Sequence, residues 1–120
     1  MEKQSGKTME KIQTWQQIAK IHGTNSGVNI SNNRVLSLLC NAGNDQKYPN
    51  KILKDCIEYF VGSNINIHVV KSLNNSMEKG DTILVFEKLG INKWKTLGEF
   101  VIDSREEKDP EGTLFILLKK

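Results

Sequence analysis

No apolar run in this chain approaches the roughly 20 residues that a membrane-spanning helix needs. The opening MEKQSGKTMEK contains no hydrophobic signal segment, so a cytoplasmic location is expected. Cysteine is scarce. Cys40 and Cys56 are the only two, both lie in apolar strand-like runs, and in a cytosolic chain such a pair reads as buried thiols and not as a disulfide. The two histidines, His22 and His68, have no second histidine or cysteine at metal-ligand spacing, so no metal site is expected and both read as surface or packing residues. GxSxG, Walker and GxGxxG patterns are missing. The carboxylates Glu106, Glu107, Asp109 and Glu111 cluster, but lysine and proline interleave with them and no apolar surroundings are there to tune a general acid. Cys40, inside a leucine run, is expected to be an inert thiol. With nucleophile, metal set and tuned acid all missing, the chain is expected not to be an enzyme and to need no cofactor. The glycine-flanked turn Gly23-Thr24-Asn25-Ser26-Gly27 could cradle an anion, although turns of this composition are common.

What the chain has is enough apolar residue to build a core. Its 120 residues are 38% hydrophobic and 26% charged, ordinary for one folded domain, with no sign of disorder. Residues 14–120 are expected to form that domain, after a flexible or partly helical start over 1–13. The net charge of +3 is unevenly placed: residues 1–60 carry 8 Lys and Arg against 5 Asp and Glu, residues 61–120 carry 9 against 9. A bias this mild permits a nucleic-acid partner without requiring one. Fifteen lysines against two arginines point to coding bias as much as to a selected basic face.

The clearest local signal is GDTILVFEKLGINKWKTLGEFVID, Gly80 to Asp103, where two apolar runs flank a Gly-Ile-Asn turn and spell a long β-hairpin. Both faces of each strand carry apolar residues, which places the hairpin in the centre of the fold. Gly98 interrupts the second strand and marks a bulge or a close backbone approach. Upstream, Thr14-Trp15-Gln16-Gln17 is a capping box, Trp15, Ile18 and Ala19 form an apolar stripe, and Gly23 is a stop, so residues 14–22 are expected to be helix. A short strand is expected at Val28–Ile30. RVLSLLCN (34–41) fits a buried strand, although its leucine content leaves a short helix open. CIEYFV (56–61) reads as a strand, and Ser63 can cap a helix carrying Ile65, Val69 and Leu73 towards Gly80. REEKDPEG (105–112) is expected to be an exposed loop, and TLFILL (113–118) a last interior strand. The order helix, strand, strand, helix, hairpin, strand gives the expected class: a small α+β barrel.

One constellation could carry a function. Tyr48, Tyr59 and Trp94 stand near strand ends or in a loop beside Lys47, Asn50 and Ser63, a set suited to stacking on a planar base and reading its edge. The plain alternative is that Tyr59 and Trp94 fill the interior. Arg34, Lys47, Lys51 and Lys54 are the cations a nucleic acid would meet.

The residues TWQQIAKIHGT, NRVLSLLCN, a tyrosine-containing loop, IEYFVGS, and the pair Val85-Phe86-Glu87-Lys88 and Asn92-Lys93-Trp94 followed by Leu97-Gly98-Glu99-Phe100 resemble the small PUA-like domains related to SRA and EVE modules. The resemblance covers about Thr14 to Leu118. It implies a small twisted, mostly antiparallel β-barrel with flanking helices, and recognition of modified bases in DNA by flipping them into the barrel mouth. Tyr48 and Asn50 lie where relatives carry a Tyr-x-Asp-like loop, and Phe60 to Ser63 where they carry a "Y-x-G" turn; Asn50 replaces the acidic residue. Such domains often accompany HNH-type nucleases in restriction and defence genes. The expected partner is therefore nucleic acid, DNA ahead of RNA, together with a separately encoded nuclease or defence effector. A small-nucleotide-binding or protein-interaction subunit in phage defence or counter-defence is the rival reading.

Overall fold

A computed structural model describes residues 12–41, 50–62 and 67–120. The capping box forms as spelled: the Gln17 N–H donates to the Thr14 hydroxyl, and the Thr14 N–H donates to the Gln17 side chain, opening helix α1 (Trp15–His22). Gly23 closes it in the left-handed region at φ 80°, its N–H donating to the Ala19 carbonyl, a conformation glycine adopts without a Cβ penalty. His22 is fully buried. Its Nε2 faces the Ser26 carbonyl and its Nδ1 the Ser37 hydroxyl, both at 2.6 Å. A carbonyl can only accept, so Nε2 carries a proton and donates it to Ser26, while the Ser37 hydroxyl can partner Nδ1 in either sense. This histidine is a packing residue that ties α1 to the sheet.

Seven strands follow: β1 (Val28–Ser31), β2 (Arg34–Cys40), β3 (Lys51–Ile52), β4 (Cys56–Gly62), β5 (Ile83–Gly90), β6 (Lys93–Lys108) and β7 (Gly112–Lys119), with helix α2 (Ile67–Lys79) between β4 and β5. The β1–β2 turn is Asn32-Asn33, both at positive φ, the pairing of conformations that matches the twist of a two-residue hairpin. The sheet order is β1-β2-β5-β6-β7-β4-β3, antiparallel throughout except for the parallel β2–β5 ladder. The expected hairpin is β5–β6 and sits at the centre. The expected closed barrel is corrected to a twisted open sheet with two helices: among the described residues no ladder joins the two edge strands. Closure needs edge strands long enough to pair in register, and β3 is two residues long.

Alternation along the strands divides the apolar residues between two faces. Ile83 and Val85 of β5, Tyr59 of β4, Phe100 and Ile102 of β6 and Phe115 of β7 pack with Leu73 of α2. Phe86 and Trp94 pack on the other face with Ile18 of α1. Opposite Val85 and Phe86 the β6 register shifts by one residue, so the bulge foreseen at Gly98 is present, with Gly98 at φ 108°. The exposed loop expected at 105–112 is largely strand. β6 runs to Lys108 because apolar β7 requires a partner, and the charges alternate so that Arg105 meets Glu107 on one side (3.1 Å) and Lys108 meets Glu106 on the other (2.6 Å). Ser63, the expected helix cap, lies outside the described residues. No helix among them is long and apolar enough to cross a membrane.

Candidate nucleic-acid interface

Asn41 follows β2 and Asn50 precedes β3. The Asn50 N–H donates to the Asn41 carbonyl at 3.3 Å, and the Asn41 N–H donates to Asn50 Oδ1 at 3.0 Å. These two bonds hold the end of β2 beside the start of β3. Asn50 is 7% exposed, and its acceptor is committed to backbone; what its amide can still offer a ligand is the NH₂ donor side. Lys47 and Tyr48 fall between these two asparagines, and like Ser63 lie outside the described residues.

Asn41 also borders a cleft of about 410 Å³ shared with Trp15, Leu39, Lys88, Asn92 and Trp94. That volume is in the range of small-molecule sites. The tryptophan rings are 5.2 Å apart at 40°, and the hairpin turn holds the start of α1 beside Trp94: the side-chain Oδ1 of Asn92, a residue at φ 53°, accepts from the Trp15 backbone N–H at 2.8 Å. Trp94 is 7% exposed and exchanges two backbone hydrogen bonds with Gln13, each 2.8 Å. Tyr59 lies elsewhere. It belongs to the core on the α2 face, where burial, with Cys40 nearby, pushes its phenol up from the ordinary 10.0. The sheet thus divides the aromatic group drawn from the sequence: Trp94 and the Asn41–Asn50 neck border one cleft, and Tyr59 is core.

The cations divide as well. Arg34 makes a two-pronged pair with Asp81; the hydrogen bond to the guanidinium holds the Asp81 carboxyl below its ordinary value against the cost of burial, and the Arg34 charge is largely spent there. Lys51 is exposed on β3. Lys54 borders a groove of about 470 Å³ with Lys95 and Lys119. Trp15, Asn92, Lys95 and Lys119 were not among the site residues drawn from the sequence, because only the sheet order brings these distant stretches beside Asn41 and Lys54. No group of three His, Cys, Asp or Glu among the described residues is placed to hold a metal.

No protein-family model and no curated protein matches this sequence. Solved structures do match in fold. The SRA domain of SUVH5 in complex with hemimethylated CG DNA is similar at TM-score 0.72 and 17% identity, over 95% of this chain and 90% of that one. The same domain bound to fully hydroxymethylated CG DNA matches at TM-score 0.67 and 16% identity, over 90% of this chain and 85% of that one. Arabidopsis thaliana SUVH6 in complex with SAM matches at TM-score 0.63 and 16% identity, over 87% of this chain but 23% of that longer one. The likeness to SRA-type PUA-like domains drawn from the sequence therefore holds at the level of fold.

Proposed function

From the fold shared with SRA domains, we propose that this protein is a non-catalytic DNA-binding module that reads a modified base. The observation that carries the proposal is the match along 95% of the chain to a domain crystallised on hemimethylated CG DNA. The cleft beside the Asn41–Asn50 neck supports it, since aromatic walls and amide side chains suit a planar base with polar edges. In this reading Tyr48 stacks on the base, the Asn50 NH₂ and the Ser63 hydroxyl address its edge, Trp94 backs the cleft, and Lys47, Lys51 and Lys54 meet the phosphates. Tyr59 and Arg34 serve mainly the core and the Asp81 pair. The module supplies recognition to a separately encoded nuclease or effector in restriction or phage defence.

Fluorescence anisotropy with CG-containing duplexes that are unmodified, methylated or hydroxymethylated at cytosine tests this. A modified duplex is expected to bind measurably tighter than the unmodified one. Equal affinity for all three would reduce the protein to an unspecific DNA binder, and no binding to any would overturn the proposal.

A further inference from the structure

Lys54, Lys95 and Lys119 come from the turn between β3 and β4, from β6 and from the end of β7, and their side chains border one groove. None of the described residues lining that groove is a carboxylate, although the chain as a whole carries 14. The Lys119 ammonium is held in place. It donates to the Leu97 carbonyl at 2.8 Å and lies 5.7 Å from the Phe100 ring centroid, within cation–π range. The ammonium lies over Gly98, where a Cβ would be in ordinary contact with the Lys119 Nζ at 3.4 Å. One of three N–H donors is used on Leu97, leaving two for an incoming anion. Ile52, Leu53, Leu97 and Phe100 add apolar wall beside the polar Thr96, and low-dielectric wall strengthens the field between fixed cations and an anion.

We infer that this groove is a seat for the phosphodiester backbone of duplex DNA, a second contact in addition to the cleft at the Asn41–Asn50 neck. A free ammonium on a flexible stem gains little from one phosphate, because ordering the stem offsets the attraction. A preordered Lys119 flanked by two further lysines avoids part of that cost, and the apolar walls accept the sugar faces between phosphates. The inference rests on the DNA-binding reading above.

The test compares a triple variant, Lys54→Gln, Lys95→Gln and Lys119→Gln, with a control that removes the same charge from the helices, Lys20→Gln, Lys71→Gln and Lys79→Gln. Anisotropy with a methylated duplex is recorded across a salt series. Each phosphate neutralised contributes about 0.9 to the slope of log affinity against log salt. The groove variant is expected to lose up to about 1.8 of that slope, the share of Lys54 and Lys119, Lys95 being already partnered, while the control keeps it; Lys119→Arg alone, which retains the charge, should keep most of it. Equal loss in groove variant and control overturns the seat, as does displacement of the duplex by polyglutamate of equal charge as effectively as by DNA. Amide shifts of the wild-type protein titrated with pyrophosphate give a readout independent of variant folding. Should the wild type bind no duplex, the DNA-binding reading fails and this titration decides the groove alone: shifts centred on Lys54, Lys95 and Lys119 preserve an anion seat, and shifts elsewhere or none overturn it.

Discussion

Asn41 and Asn50 hold each other by two hydrogen bonds, one of them from the Asn41 backbone to the Asn50 side chain. Removing that side chain strands a half-buried N–H. Asn50→Ala is expected to cost about 1 to 3 kcal/mol, the usual desolvation penalty for such a donor, whereas Asn50→Asp keeps the acceptor and most of the stability. Urea unfolding of the two variants checks this; equal losses would show that the hydrogen bond contributes nothing of its own.

Tyr48→Ala and Trp94→Ala are expected to separate binding from folding. Losing a base–aromatic stack at Tyr48 should cost about 1 to 3 kcal/mol of DNA affinity with little change in melting temperature. Trp94 is packed with Trp15, Ile18 and Phe86, so its truncation should cost roughly 3 to 5 kcal/mol of stability. Paired melting and anisotropy measurements decide; a sharp fall in melting temperature for Tyr48→Ala would make that residue structural.

Gly112 cannot carry a side chain. It sits at φ 151°, and a Cβ would fall 2.1 Å from the Val61 carbonyl oxygen and 2.9 Å from the Gly62 Cα. The β4 backbone cannot yield cheaply, so Gly112→Ala is expected to lose more than about 3 kcal/mol, in the upper tail of single substitutions. Gly27→Ala, with nothing within 4 Å, is the matched control and should melt close to wild type.

Alkaline pH should loosen the core on the α2 face. Burial, with a smaller contribution from Glu87, pushes the Cys40 thiol from 9.0 up to about 12, and burial also raises Tyr59 above 10.0. Both groups hold their protons more tightly folded than unfolded. Their contribution is therefore complete below pH 9 and is withdrawn as pH rises towards 12, at about 1.4 kcal/mol per pH unit for each group titrating in the unfolded chain. Urea midpoints measured from pH 8 to pH 11 should fall, with a flatter decline between 9 and 10 in Cys40→Ala and a flatter decline above 10 in Tyr59→Phe. Unchanged slopes would remove these groups from the account. In native protein a thiol reagent should label Cys56, which is partly exposed, well before buried Cys40.

Local chemistry was legible in the sequence, and long-range pairing was not. Thr14, Gln17 and Gly23 act within one helix, and Gly90 to Lys93 within one turn, so their spelling suffices. The parallel β2–β5 ladder joins residues nearly fifty apart in sequence, and no nearest-neighbour pattern announces it. The same gap produced the loop expected at 105–112: Arg105 to Lys108 look solvated until the apolar β7 is seen to need them as a ladder. Tyr59 and Trp94 both read as aromatics near strand ends, and only the register assigns one to each side of the sheet. The cleft and the lysine groove depend on that same register, which is why Asn92, Lys95 and Lys119 were not foreseen as site residues.

The parallel β2–β5 ladder also sets an order of assembly. The β1–β2 hairpin and the β5–β6–β7 meander close over short loops and can form early, each within its own stretch of chain. Joining them means bringing Ser37 beside Leu84 while β3, β4 and α2 are still unplaced, a long closure with its entropy lost before the core repays it. The rate-limiting encounter in folding should therefore be the docking of these two preformed halves, and β4, which pairs with β7 in register from Cys56 to Gly62, should gain its protection from hydrogen exchange only after that docking.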